Sequence, residues 1–533
     1  MESYDYVIVG AGAAGCVLAY RLSEDPAVRV ALLEAGGSDK NPYVQMPKGL
    51  AKVMADPAMI WAYAAEPEKG NAYQPEYWAR GRLLGGSSSI NGMMYVRGMP
   101  ADFDEIAARS SPDWSWQHIG AAYAALENHE LGAGTTRGAS GPLRLTLADR
   151  HTALTEAMIA AGVSMGLPRK VDTNAPDAGD GIGYATRTIW RGRRQSAATA
   201  FLDPIRARPN LTIMTNAVVD RVNFEGRRAL SVSIASAAGG SPTPVGATRE
   251  IIIAGGALAS PGILQRSGIG PGDLLRRLGI AVVQDSPEVG QNLIEHRGIM
   301  VQWKLKVPLS DNAQYSGWRL LRNVAQYFLL HTGPMSSAAY EIGAWFRSRD
   351  DAPRPDVQFL VTPFSFDFAT QRAKLESFPG MGIVGYPLRP TSRGEINIKS
   401  TDPNALPVLK PNYYTTAEDR ALMIATVALA RRYADQPALR QFIEGESYPG
   451  PQCLSEAQIL DAYDRNGSCG YHAVGSCRMG ADAASVVDPQ LRVRGVQGLR
   501  VMDTSILPQI PSGNTNGPTM AMAWRAADVI RAT

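Results

Sequence analysis

The chain has 533 residues, is 45% hydrophobic and 19% charged, and carries a formal net charge of +3. At roughly 100–200 residues per domain, that length predicts two to four packed units of ordinary globular composition. A charge balance this small excludes the overall basic signature of a nucleic-acid binder and makes no case for an acidic membrane surface.

Near the N-terminus, Asp5 to Val9 is a short apolar run, the pattern of a strand buried on both faces. Gly10, Gly12 and Gly15 follow in Gly-x-Gly-x-x-Gly spacing and open a helical stretch through Val17, Leu18 and Leu22. A second apolar run, Val28 to Leu33, ends in Glu34, 19 residues after Gly15. Each part suits a dinucleotide. Gly10 permits a tight turn, Gly12 lets the backbone approach a pyrophosphate, and Gly15 lets helix pack close to strand. The helix N-terminus favours the phosphate charge, and Glu34 accepts hydrogen bonds from ribose hydroxyls. The motif alone allows FAD or NAD.

The stretch from Tyr6 to Leu22 imitates a signal peptide but lacks a basic leader, since Glu2 and Asp5 precede it. It reads as buried strand and helix. No run approaches the roughly 20 apolar residues that span a bilayer, and no repeat of fixed period is visible. Cys16, Cys453, Cys469 and Cys477 form no Cys-x-x-Cys pair, so neither a metal site nor a dithiol is expected. The expectation is a cytoplasmic protein with no membrane insertion.

Three further segments specify more. They are Gly81-Arg-Leu-Leu-Gly-Gly-Ser-Ser-Ser-Ile-Asn91-Gly-Met-Met-Tyr95, then Gly256 to Gly270, then Tyr471-His472-Ala-Val-Gly-Ser-Cys-Arg-Met-Gly480 with Asp503 and Asn514-Thr-Asn516-Gly-Pro518-Thr519. In this order and spacing the whole chain resembles the glucose–methanol–choline (GMC) oxidoreductases. The resemblance implies FAD and a mixed α/β and α+β architecture. A discontinuous Rossmann-like FAD-binding domain would comprise 1–150, 205–296 and 460–533. A substrate domain of antiparallel sheet and helices would comprise 151–204 and 297–459.

It also implies cofactor contacts beyond the first glycines and Glu34. Ala13 and Ala35 would lie along the nucleotide. Arg82, Gly85, Ser87, Asn91 and Gly92 would belong to the second glycine loop, and Val219, Asp503, Asn516 and Thr519 would complete the set. In some relatives a histidine beside the asparagine position bonds covalently to FAD. Here that neighbour is Ile90, so non-covalent FAD is expected. Trp524-Arg525 departs from a common Glu-Lys pair, which bears on packing or assembly more than on chemistry.

Oxidising an alcohol requires a base that takes the hydroxyl proton as the carbon-bound hydride leaves, and histidine suits that task. Of the six histidines, the resemblance singles out His472 as the base facing flavin N5. Asn514 would be its partner, donating one hydrogen bond to the substrate oxygen. His296, in Val289-Gly-Gln-Asn-Leu-Ile-Glu-His296, is expected to be structural, packing and making a backbone hydrogen bond.

Trp345, Phe359, Phe364, Phe366, Phe368 and Tyr471 are candidate substrate-pocket residues. The alternation of Phe364, Phe366 and Phe368 would place them on one strand face. Such a lining favours an aromatic or apolar primary alcohol, oxidised to its aldehyde, over a sugar. A choline-like cation would want a carboxylate in an aromatic box, and none presents itself. Oxygen or a quinone-type carrier would reoxidise the flavin. The runner-up is a non-redox or light-driven relative on the same fold, a hydroxynitrile lyase or a fatty-acid photodecarboxylase.

Overall fold

A computed structural model of the chain describes residues 2–177, 179–236, 241–368 and 374–533. Its first large sheet runs in the order Leu211–Met214, Val30–Leu33, Glu2–Val9, Thr243–Ile253, Arg228–Ile234 and Val219–Glu225, with Leu499–Val501 paired to Thr243–Ile253. The pairings around Glu2–Val9 are parallel. Parallel strands need cover on both faces, and here they read as unbroken apolar runs that are fully buried, as in Val30–Leu33 and Ile251 to Ile253. The helix Ala13–Leu22 packs on this sheet and against the C-terminal helix Asn516–Arg531.

The departure at Trp524-Arg525 is explained by this helix pair. Trp524 stacks on Tyr20 with Arg21 over its ring, and Arg525 pairs with Asp113 at 2.6 Å. Both residues serve packing.

The second large sheet is antiparallel, in the order Ile443–Tyr448, Arg297–Leu305, Gly380–Pro387, Val357–Thr362, Ile342–Phe346 and Gly181–Tyr184. The helix Ala417–Ala434 lies against Gly380–Pro387. Side chains alternate across this sheet. Phe359 meets Tyr433 of that helix, whereas Leu360 and its cross-strand partner Val384 face the other way, into a cavity between the two sheets.

Four smaller sheets occur among the described residues, one formed by Ile60–Ala65, Glu76–Gly81, Glu395–Asn397 and Val408–Lys410, one of three short strands, and two of two strands each. All four cysteines are free and buried. No helix among the described residues is long and apolar enough to cross a membrane. The described residues hold no group that would bind a metal ion.

Candidate active site

The strands Glu2–Val9 and Val30–Leu33 end side by side, and their last residues, Val9 and Leu33, line a cavity of about 450 Å³. Ligands of open parallel sheets sit in this position, outside the carboxyl ends of the strands. Gly10 turns the chain at φ +105°, where a Cβ would strike the Ala254 carbonyl at 2.5 Å. A Cβ on Gly15 would lie 1.9 Å from the Gly10 carbonyl, so the helix packs this closely only with glycine there. Beyond its chain neighbours, a Cβ on Gly12 would meet no atom of the described residues within 4 Å, which leaves open space where a phosphate would approach the helix N-terminus. Gly12, Ala13, Glu34 and Ala35 all line the cavity.

Glu34 is buried, and its oxygens accept hydrogen bonds from the amides of Ala11 and Gly36, both at 2.9 Å. Burial pushes its carboxyl up to about 7 against those bonds. The second glycine loop lies across the first. Gly86, at φ +52°, sits so close that a Cβ would meet Gly12 at 2.7 Å, and Gly85 donates its amide to the Ala11 carbonyl at 2.8 Å. Ser87, Asn91, Gly92, Val219, Asp503, Asn516 and Thr519 line the cavity as well. Gly85 and Arg82 stand outside the lining, Gly85 as the turn residue and Arg82 over the Trp61 ring at 4.4 Å. Asp503 holds the wall together rather than facing it alone. It accepts from Gly256 N at 2.9 Å, the Ser260 hydroxyl at 2.6 Å and Ser505 N at 2.7 Å.

Asn91 is oriented by a residue the sequence did not single out. Its Oδ1 accepts from Met93 N at 3.0 Å and from Arg194 Nη1 at 2.8 Å. The same buried guanidinium also binds the carbonyls of Val44, Ser88 and Asn91. The Asn91 amide nitrogen is thereby left to donate to a ligand. Ile90 is buried against Val44, Val53 and Leu83 and offers no atom for a covalent link.

At the far end of the cavity, His472 and Asn514 meet, with His472 Nε2 2.9 Å from Asn514 Nδ2. His296 Nε2 lies 2.8 Å from the Leu388 carbonyl, and His296 Nδ1 lies 2.9 Å from His472 Nδ1. The proton positions follow from what each group is able to do. The Leu388 carbonyl only accepts, so His296 Nε2 donates. In the neutral ring His296 Nδ1 is then an acceptor, so His472 Nδ1 donates. His472 Nε2 is left with the lone pair, facing the Asn514 amide nitrogen, which only donates. The tautomer with a basic Nε2 is therefore fixed from behind.

Electrostatics keep that pair uncharged. Burial, with His296 and Arg80 adding to it, holds His472 well below histidine's ordinary range. Burial pushes His296 down to about 4. Beneath the pair, Glu295 Oε1 accepts from the amides of His296 at 2.9 Å and His472 at 2.7 Å. Its other oxygen has no hydrogen-bond partner among the described residues and lies 3.5 Å from Arg80. Burial pushes the Glu295 carboxyl up to about 7. Asn514 Oδ1 is likewise buried without a hydrogen-bond partner, in a wall of the cavity. An orphaned acceptor at that point fits a site built to hold a ligand's polar group.

The expected aromatic lining is corrected in part. Tyr471 does line the cavity, but Trp345, Phe359, Phe364, Phe366 and Phe368 do not. Trp345 is covered by Met94, Val96 and Met99, and Phe359 packs against Phe346 and Tyr433. The strand Val357–Thr362 stops before Pro363, which has no amide to continue the ladder. The next residues therefore do not alternate. Phe364 packs on Phe366 and Tyr315, while Phe368 packs on Tyr448. Tyr340, Leu360, Val384 and Tyr386 line the cavity in their stead, and the Tyr386 ring centroid lies 5.8 Å from that of His472. The alternation of Val384 and Tyr386 was the available signal.

The match to known proteins agrees with this geometry. Two family models described as GMC oxidoreductase match residues 4–297 and 390–523. An oxygen-dependent choline dehydrogenase of Burkholderia pseudomallei (strain K96243) is 40% identical over 535 residues, covering 99% of this chain and 94% of that protein. The crystal structure of pyridoxine 4-oxidase from Mesorbium loti superposes with a TM-score of 0.87 at 31% identity, covering 98% of each chain. A formate oxidase variant from Aspergillus oryzae RIB40 does so with a TM-score of 0.91 at 26% identity, covering 100% of this chain and 98% of that one.

Proposed function

From the premise that this chain belongs to the GMC oxidoreductase family and is an FAD-dependent enzyme acting on CH-OH groups, we propose that it oxidises a neutral aromatic or apolar primary alcohol to the aldehyde. The observation that carries this reading is the fixed lone pair on His472 Nε2 beside Asn514, in a wall of Tyr340, Leu360, Val384, Tyr386 and Tyr471.

FAD would be held non-covalently by the two glycine loops, Glu34, Asn91, Asp503 and Asn516, and when bound it accepts the hydride. The substrate hydroxyl takes the place of the Asn514 amide on His472 Nε2 and donates its hydrogen there. The same oxygen accepts a hydrogen bond from Asn514 Nδ2, which orients it. As the hydride leaves carbon, the hydroxyl proton passes to Nε2, and the carbon–oxygen bond becomes a carbonyl. The imidazolium so formed keeps its Nδ1 hydrogen bond to His296, which stays neutral because burial opposes its protonation.

Choline appears in the name of a similar protein, but this cavity is a poor fit for a cation. Its lining carboxylates, among the described residues, are Glu34 and Asp503. Both already accept hydrogen bonds from backbone amides. Arg80 adds positive charge to the same wall. Oxygen is the acceptor we favour, since that similar protein is named oxygen-dependent.

The test is an anaerobic panel of benzylic, aliphatic and choline-type alcohols, read in the dark at the flavin band and followed by admission of air. Benzylic alcohols are expected to bleach the flavin fastest, and air to restore it. Fastest bleaching by choline would overturn the substrate class. No bleaching by any alcohol would favour a non-redox relative.

A further inference from the structure

Among the described residues thirteen large hydrophobic side chains are exposed, and five of them share one helix, Gly317–Leu330. Trp318, Leu321, Phe328, Leu329 and Leu330 are 65%, 73%, 48%, 79% and 67% exposed. The helix has two apolar faces. Leu320, Val324 and Tyr327 pack inward against Met46 and Met335. Trp318, Leu321, Ala325, Phe328 and Leu329, at i, i+3, i+7, i+10 and i+11, form an outer stripe that is exposed among the described residues.

The charge around that stripe has one sign. Arg319 and Arg322 lie over or beside the Trp318 ring, at 6.0 and 5.2 Å. At the helix C-terminus the hairpin of Ile189–Trp190 and Arg193–Arg194 packs close, with Gly192 against the His331 carbonyl and Arg193 Nη2 2.9 Å from His331 Nε2. Arg191, Arg193, Arg319 and Arg322 are all exposed, and among the described residues none of the four pairs with a carboxylate. No Asp or Glu occurs from Asn312 to Tyr340. The net charge of +3 conceals this local cluster, because acidic residues elsewhere cancel it.

We propose that this face docks the protein on an anionic lipid surface. An amphipathic helix with Trp, Phe and Leu on one side and arginines at its edge lies in the headgroup plane, burying the apolar stripe while the guanidinium groups meet lipid phosphates. The charge pattern selects this occupant over a second copy of the chain. A self-complementary two-fold contact through the stripe would set the unpaired arginines against their own copies. The docking is peripheral, since no described helix is able to span a bilayer. Only a short segment separates the helix from Ala339 and Tyr340 in the cavity wall. Docking there would bring the site close to alcohols that partition into lipid. The inference stands whether or not the substrate class proposed above is right.

The test is co-sedimentation of the holoenzyme with vesicles of phosphatidylcholine, alone or with added phosphatidylglycerol. Binding is expected to the anionic vesicles, to weaken with salt, and to fall roughly fivefold for each of Arg319→Ala and Arg322→Ala. Leu321→Gln with Leu329→Gln should also lower it, with FAD content and anaerobic flavin reduction unchanged. Hydrogen exchange of the wild-type holoenzyme, which needs no variant, should show protection over 317–330 when anionic vesicles are added. Absence of binding, binding indifferent to these substitutions, or a dimer in sedimentation velocity that the Leu321→Gln change dissociates would each overturn the proposal.

Discussion

The Nδ1 atoms of His296 and His472 lie 2.9 Å apart, so one ring must donate to the other. Because His296 already donates through Nε2 to Leu388, His472 is the donor and its Nε2 is the base. His296 is thus a positioning residue. Replacement by Leu is expected to leave FAD content intact and to slow anaerobic flavin reduction by roughly 10²-fold, the scale of a misplaced catalytic group. His296→Gln, which keeps an acceptor, should recover part of the loss. Equal rates for wild type and His296→Leu would show that the tautomer is set by something else.

Asn514 orients the substrate oxygen but takes no proton. Asn514→Ala should therefore lower the flavin-reduction rate less than His472→Ala does, by the cost of one hydrogen bond and its alignment. Asn514→His is expected to retain activity. A defect in Asn514→Ala larger than that of His472→Ala would reverse the two roles.

How much of this was legible in the sequence depended on the range of the interaction. The strand–glycine–helix unit is local, so Gly10, Gly12, Gly15 and Glu34 were read directly and all but Gly15 line the cavity. His472 and Asn514 came from motif context. The His296 contact spans 176 residues and the Arg194–Asn91 contact 103, and no local pattern announces either. The three phenylalanines failed for another reason. Their spacing imitates a strand, but Pro363 ends the ladder before they begin.

Glu34 bonds to the Ala11 and Gly36 amides as well as lining the cavity. Glu34→Ala is expected to lower the fraction of enzyme retaining FAD through gel filtration, with little change in the reduction rate of the holo fraction. Undiminished FAD content would remove Glu34 from the nucleotide site.

Ile90 offers no nucleophile, so acid precipitation should release all the flavin into the supernatant. Yellow colour left with the washed chain would show a covalent bond formed at some other residue.

The pH dependence has a defined sign. Burial first, then His296 and Arg80, disfavour the His472 imidazolium, so the ring keeps its lone pair as pH falls through the ordinary value of 6.5. Burial pushes the carboxyl of Glu295, which accepts from the backbone amides of both histidines, up to about 7, so it needs a control. In Glu295→Gln the acid limb of the flavin-reduction rate is expected below pH 6.5. A limb at or above 6.5 in that variant would contradict the electrostatics described for His472.

The central claim is that His472 takes the hydroxyl proton, and stopped-flow flavin reduction without oxygen isolates that step from reoxidation. His472→Ala should bind FAD normally and be reduced by alcohol roughly 10²–10⁴-fold more slowly than wild type, the cost of losing a positioned general base. A His472→Ala enzyme whose flavin is reduced within a few fold of the wild-type rate would contradict the assignment.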